Sequence, residues 1–243
     1  MQKVCLIVPC YNEGKRLDSD QFSSFLKENT DISFLFVNDG STDATLEVLQ
    51  ELERKTGGQT NILNIQLNVG KAEAVRKGIL AAKEIGMYGF VGYLDADLAI
   101  PLHEVKRISS TVFDDHQHKA FFMSRVKMLG KEIDRKFIRH IFGRVLATVI
   151  NAYYRLGVYD SQCGFKIFNA DIVSKLFSEE FKTKWVFDIE VLLRIRDNDL
   201  LDKTIELSLS QWMEKGDSKI RIKDLLGLPI DLLKIFKTYA REK

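Results

Sequence analysis

Phe90-Val91-Gly92-Tyr93-Leu94-Asp95-Ala96-Asp97 places a short apolar run directly against two carboxylates. The run has strand length and strand composition, and the carboxylates follow it without a spacer. Working outward, the same grammar recurs. Val4–Val8 is aliphatic and ends at Pro9; Phe34–Val37 ends in Asn38-Asp39-Gly40, a loop signal, with Ser41-Thr42-Asp43 at a helix start. Ile62–Leu67 and Ala120–Met123 read as further strands. Between them, helical spacing is expected over Thr45–Lys55 (Leu46, Leu49, Leu52), over the Ala-, Lys- and Glu-rich Lys71–Ile85, and over Glu104–Asp115. Strands alternating with helices predict an α/β fold with a mostly parallel central sheet flanked by helices. In such sheets ligands sit beyond the carboxyl ends of the strands, which is where these polar clusters fall.

The second half reads differently. Arg135–Leu156 carries Ile138, Ile141, Phe142, Val145, Val149 and Ala152 at helical spacing, with a crowd of Lys and Arg before and within it. Tyr159–Phe168 reads as a loop with a short strand, Asp188–Arg196 as a helix, Thr204–Leu209 as a strand, and Lys223–Thr238 as an amphipathic helix interrupted at Pro229. The absence of repeats and Pro/Gly/Ser linkers gives one domain over 1–222 with a helical extension over 223–243.

Composition bounds the function. The 243 residues are enough for one large domain with a full core, and 45% hydrophobic with 29% charged residues is ordinary for a globular chain. A net charge of +2 offers no argument for nucleic acid as a partner. The three cysteines lack a CxxC pair, so reduced thiols in a cytoplasmic protein are expected, rather than a disulfide framework or a zinc site. The apolar run after Met1 is too short for a signal peptide, and no stretch approaches the roughly 18–20 apolar residues of a membrane span.

Two carboxylates one residue apart at a strand end can both reach one hard cation such as Mg or Mn. The same tripeptide also suits a solvated turn. Asp39 in its turn can accept hydrogen bonds from a base or ribose, or merely cap a helix. Asn68-Val69-Gly70-Lys71 puts a cation at a helix N-terminus, where the dipole disfavours it unless an anion is near. Neither a P-loop nor a Rossmann glycine pattern is present.

Taken in order, Pro9-Cys10-Tyr11-Asn12-Glu13, Asn38-Asp39-Gly40-Ser41-Thr42-Asp43, Asn68-Val69-Gly70-Lys71 and Asp95-Ala96-Asp97 resemble the inverting GT-A glycosyltransferases of family 2. Asp160-Ser161-Gln162-Cys163-Gly164-Phe165-Lys166, Trp185-Val186-Phe187-Asp188-Ile189-Glu190 and Trp212–Lys219 narrow the resemblance to the polyprenyl-phosphate sugar transferases, most like the dolichyl-phosphate β-glucosyltransferase type. The resemblance implies a Rossmann-like nucleotide-binding half and an acceptor half. It implies that Pro9, Tyr11 and Glu13 line the nucleotide, that Asp39 contacts the base, and that Lys71 lies near the donor. Asp95 would meet the donor sugar or ribose, and Asp97 the metal, with both able to share it. Ser218 and Lys219 would fold towards the diphosphate.

The implied cofactor is Mg or Mn. The implied donor is a nucleotide-sugar, UDP-glucose first and GDP-mannose second, and the implied acceptor is a lipid phosphate. Arg125, Arg135 and Arg139 are the cations expected at that phosphate, against the alternative of a solvated basic face. Asp160 is the candidate base or second metal carboxylate, with Asp188 and Glu190 behind it; loop capping and loop ordering are the competing roles. The basic, apolar Arg125–Leu156 segment suits either a bilayer surface or packing on the sheet, which would put the enzyme at the cytoplasmic face of a membrane. The rival readings are a family 2 enzyme acting on a saccharide hydroxyl, a metal-dependent phosphatase or nucleotidyltransferase, and a non-catalytic nucleotide-sugar binder. Three strands precede the carboxylate pair, against the first-strand position of a phosphatase nucleophile, and the Gly-rich loop of a nucleotidyltransferase is missing.

Overall fold

A computed structural model describes residues 3–134, 137–215 and 222–239, with side chains left out over 137–142 and 222–226. β1 (Val4–Cys10), β2 (Ile32–Asp39), β3 (Thr60–Ile65) and β4 (Phe90–Leu94) are joined by α1 (Ser19–Glu28), α2 (Thr45–Thr56) and α3 (Lys71–Ile85). Then follow α4 (Leu102–Asp114), β5 (Ala120–Ser124), β6 (Glu132–Asp134), α5 (Phe137–Tyr154), β7 (Phe165–Asn169), α6 (Val173–Phe177) and α7 (Phe187–Asp197). β8 (Thr204–Ser208), β9 (Gln211–Met213) and α8 (Ile222–Thr238) complete the described chain.

Among the described residues the main sheet has seven strands in the order β3-β2-β1-β4-β7-β5-β8. β1 pairs parallel with β2 and β4, β2 with β3, and β5 with β8; among the described strands of this sheet only β7 runs antiparallel, between β4 and β5. The chain winds from β1 outward to β3 and then returns past β1 to β4. That reversal opens a crevice beyond the ends of β1 and β4, the place such sheets bind ligands. The α/β class and mostly parallel sheet expected from sequence are the ones the chain adopts.

Alternation along β1 explains the layers. Val4, Leu6 and Val8 enter one core with Phe34, Phe36 and residues of α1, α2 and α4, whereas Cys5 and Ile7 enter the other with α3, α6 and α7. α3 lies so close to the sheet that a Cβ on Gly78 would stand 2.6 Å from a methyl of Ile7. A smaller third core joins Leu146, Ile150 and Tyr154 of α5 to Ile189 and Leu193 of α7 and to Ile235 and Tyr239 at the chain's end.

Several boundaries differ from the sequence reading. β3 stops at Ile65 rather than Leu67, because it is the sheet's edge and Leu67 stands 79% exposed. α8 continues through Pro229 instead of breaking there; the proline is exposed, so the carbonyl that its missing N–H cannot serve is open to solvent rather than sealed in the core. α1, α6 and the β6–β9 pair were not expected. α1 follows from Asp18, whose side chain accepts from the Gln21 amide, and from buried Phe22 and Leu26 at i and i+4.

Candidate active site

The site assembles at the crevice from four strand ends. After β1, the Tyr11–Gly14 turn is locked to the turn after β2. The Asn12 amide donates to the Ser41 hydroxyl (3.0 Å), the Glu13 amide to the Thr45 hydroxyl (2.8 Å), and the Gly14 amide to Asp43 (3.1 Å). The Thr45 hydroxyl, donating to Asp43 Oδ1, does most to hold the Asp43 carboxyl below its ordinary value, and the Thr45 and Gly14 amides add to it against the opposing effect of burial. Tyr11 is exposed at this rim, Pro9 is half-buried and Glu13 is buried, with its carboxylate 3.8 Å from Arg16 Nε.

Asp39 ends β2 and is 3% exposed. It accepts from the Val69 amide (2.8 Å), the Gly70 amide (2.9 Å) and the Asn68 side-chain amide (3.0 Å). Three bonds occupy most of the roughly four lone-pair sites of a carboxylate. Asp39 therefore ties the loop before α3 to β2, a job the sequence reading did not assign. Gly40 permits the tie: at φ +64°, it brings the backbone so near that a Cβ would lie 2.4 Å from the Asn68 nitrogen.

The tied loop delivers Lys71 to Asp95. Lys71 Nζ lies 2.5 Å from Asp95 Oδ1, each side chain a little over one-third exposed. Burial disfavours the ammonium, but Asp95, Asp188 and Asp97 outweigh it and hold the Lys71 pKa above its ordinary value. Asp97 accepts from the Ala99 amide at 3.0 Å, and burial together with the charge of Asp95 pushes its carboxyl up. A carboxylate raised in this way gains from a nearby cation, and the all-oxygen donor set of Asp95 and Asp97 suits a hard divalent ion. Among the described residues no cluster of three or more His, Cys, Asp or Glu side chains placed to hold a metal ion exists.

On the other side of the crevice, Arg125 grips Asp160 in a fork: Nε to Oδ2 at 2.7 Å and a terminal nitrogen to Oδ1 at 2.8 Å, with the Arg125 amide adding a third bond at 3.1 Å. The guanidinium stands 5.5 Å from the Trp212 ring centroid. Glu206 holds the same turn through the Tyr159 and Asp160 amides, both at 2.7 Å. The residue expected at an acceptor phosphate and the residue expected as base are thus each other's partners.

Asp188 is buried. Its Oδ1 accepts from Tyr93 Oη and from Lys166 Nζ, each at 2.5 Å. Lys166 is fully buried on β7 and also donates to the Cys163 carbonyl at 2.7 Å. Burial first, then the charge of Asp188, drives the Tyr93 hydroxyl's pKa well above its ordinary value. Glu190 accepts from the Lys182 and Thr183 amides and from the Thr183 hydroxyl, and so orders the loop before α7. Lys166 and Tyr93 carried no assigned role in the sequence reading; the available signal was a lone lysine inside the apolar run Phe165–Phe168. Arg135, Ser218 and Lys219 lie outside the described residues, as does the side chain of Arg139.

Residues 5–177 match the protein family described as "Glycosyl transferase family 2". A dolichyl-phosphate beta-glucosyltransferase of Trichomonas vaginalis is 31% identical over 97% of this chain and 73% of its own length. That of Saccharomyces cerevisiae is 31% identical over 96% of this chain and 71% of its own. Among solved structures, glucosyl-3-phosphoglycerate synthase of Mycobacterium tuberculosis with Mn2+ and UDP-glucose superposes with a TM-score of 0.70 at 16% identity, covering 100% of this chain and 80% of that one. The same synthase with phosphoglyceric acid gives a TM-score of 0.71. At such identity the likeness speaks for the fold.

Proposed function

Since the chain belongs to glycosyl transferase family 2, we propose that it transfers glucose from UDP-glucose, with inversion, to a polyprenyl phosphate of the dolichyl or undecaprenyl type. The observation that carries this reading is the Lys71–Asp95–Asp97 cluster at the sheet's reversal, where a donor's diphosphate would meet both a cation and a pair of metal-binding carboxylates. The relatives' names supply the substrate class.

On this reading the nucleotide lies across Pro9, Tyr11, Glu13 and the Asp39-tethered loop, with its diphosphate towards Asp95 and Asp97. Mg or Mn held by those two carboxylates would supply charge neutralisation for the departing diphosphate. Lys71 adds a second positive charge next to the same oxygens. An oxygen of the acceptor phosphate forms the new bond to the anomeric carbon as the old bond to the diphosphate breaks, and its electron pair leaves with UDP. The attacking oxygen is already anionic, so no proton has to be removed. The Arg125–Asp160 fork agrees with this: a carboxylate held by two guanidinium bonds and a backbone amide is better placed to shape the acceptor turn than to take a proton. Asp188, locked to Lys166 and Tyr93, likewise serves to order the site.

A lipid acceptor calls for a membrane surface. No described helix is long and apolar enough to cross a bilayer. α5 divides its apolar residues: Leu146, Ile150 and Tyr154 face the core, while Val145 and Val149 are exposed. Ile230 and Leu233 of α8 and the fully exposed Leu129 are further large apolar side chains open to solvent. These residues, together with a sequence stretch rich in Lys and Arg (Arg135, Lys136, Arg139 and Arg144), are the proposed peripheral contact with an anionic bilayer.

The test is a panel of nucleotide-sugars offered with Mg or Mn and a short-chain polyprenyl phosphate, reading both nucleotide release and lipid product. UDP-glucose giving a glucosyl phospholipid supports the proposal. Transfer to free saccharides with the lipid phosphate left untouched overturns the acceptor assignment, and phosphate release without sugar transfer overturns the enzyme class.

A further inference from the structure

Gly164 immediately precedes β7, and its carbonyl accepts from the Asp95 amide at 3.1 Å where β4 and β7 pair antiparallel, Leu94 opposite Phe165. A Cβ placed on Gly164 would meet three atoms of the Asp95 carboxyl group first: Oδ2 at 2.1 Å, Cγ at 2.5 Å and Oδ1 at 2.9 Å. Gly164 is not among the glycines with positive φ. Its backbone therefore admits an L side chain, and the obstacle is the carboxylate itself. The backbone at this point is also braced from below. The carbonyl of Cys163, one residue earlier, accepts from the fully buried Lys166, whose ammonium is in turn fixed by Asp188 of α7.

From this packing we infer that Gly164 is a positioning residue of the donor site: by carrying no side chain it leaves the space in which the Asp95 carboxylate is held against Lys71. The inference rests on the donor reading of Asp95 given above. With the Cys163–Gly164 backbone braced, a methyl group at 164 displaces the carboxylate rather than the chain, and Asp95 turns away from Lys71 and from the diphosphate position.

Three variants decide it: Gly164→Ala, Asp95→Ala and the two combined, each titrated calorimetrically with UDP in the presence and absence of Mn2+ and melted in parallel. Gly164→Ala is expected to weaken Mn2+-dependent UDP binding by about tenfold or more, a loss of about 1.4 kcal/mol. UDP binding without metal should change less than about twofold, a split that general loosening of the fold would not produce. In the Asp95→Ala background the glycine substitution should add less than about twofold, since the obstructed group is gone. Wild-type binding by Gly164→Ala, alongside a damaged Asp95→Ala, overturns the inference and leaves the donor reading standing. Wild-type binding by Asp95→Ala overturns the donor reading and the inference with it. If Gly164→Ala fails to fold, the combined variant decides: restored cooperative unfolding supports the inference, and continued misfolding refutes it.

Discussion

Replacing Lys166 by Met removes a fully buried ammonium and keeps most of the apolar stem that carries it. The ammonium lies 2.5 Å from Asp188 Oδ1 and 2.7 Å from the Cys163 carbonyl, so both acceptors lose their cation together. Asp188 would keep the Tyr93 hydroxyl at 2.5 Å, which one neutral donor cannot make equivalent to an ion pair. Breaking a buried pair from one side costs about 3–5 kcal/mol, because the remaining charge is desolvated without compensation. Taking about 4 kcal/mol, and about 2–4 °C per kcal/mol for a chain of this size, the melting temperature should fall by about 8–16 °C. Urea denaturation at neutral pH gives the free energy directly. The combined Lys166→Met/Asp188→Asn variant should recover at least half of the loss, since the buried charge is then gone while Tyr93 still has an acceptor. A single variant within about 1 kcal/mol of the wild type would refute the reasoning. So would a combined variant no more stable than the single one.

Asp39→Ala releases the Val69 and Gly70 amides and the Asn68 side chain at once. A loss of about 1–3 kcal/mol in stability is expected, with weaker UDP binding measured by calorimetry because Lys71 is no longer delivered to Asp95. Glu104, 2% exposed, is driven up by burial but more than offset by Arg107 and by the Ser210 and Gln211 amides, so its pKa lies below the ordinary 4.5. Its contribution is therefore present above the unfolded pKa and is lost as pH falls through the lowered folded value. Glu104→Gln should cost about 1.5–3 kcal/mol at pH 7, and the gap from wild type in denaturant titrations should close as the pH drops below the unfolded value.

The parts of the fold that were legible are those where burial writes directly into sequence. β1, β2 and β4 read as strands because each is apolar on both faces, and the helices at Thr45 and Lys71 because one face of each is apolar. The insertion of β7 between β4 and β5 was not legible, since its partners are chosen by pairing across long separations and not by any local pattern. The same holds within the site. Strand ends put Asp39, Lys71, Asp95 and Asp97 together in the order the motifs suggested. What those side chains bond to was hidden. Arg125 and Asp160 stand 35 positions apart, and nothing local in the sequence couples one to the other. Asp188 stands out in sequence as a carboxylate of Trp185–Glu190, yet its surroundings — Tyr93 from one strand and Lys166 from the next — exist only after folding. Gly164 offered no chemical signal at all, since its role is the absence of atoms beside Asp95.

The claim on which the account depends is that the carboxylates following Phe90–Leu94 hold the donor's diphosphate through a divalent ion. Calorimetric titration of UDP into the wild type and into Asp97→Ala, each with and without Mn2+, tests it most directly. The account predicts that Mn2+ tightens UDP binding to the wild type by at least about tenfold, or about 1.4 kcal/mol, and that Asp97→Ala abolishes this gain while keeping its melting temperature. Equal metal-dependent tightening in both proteins would contradict it.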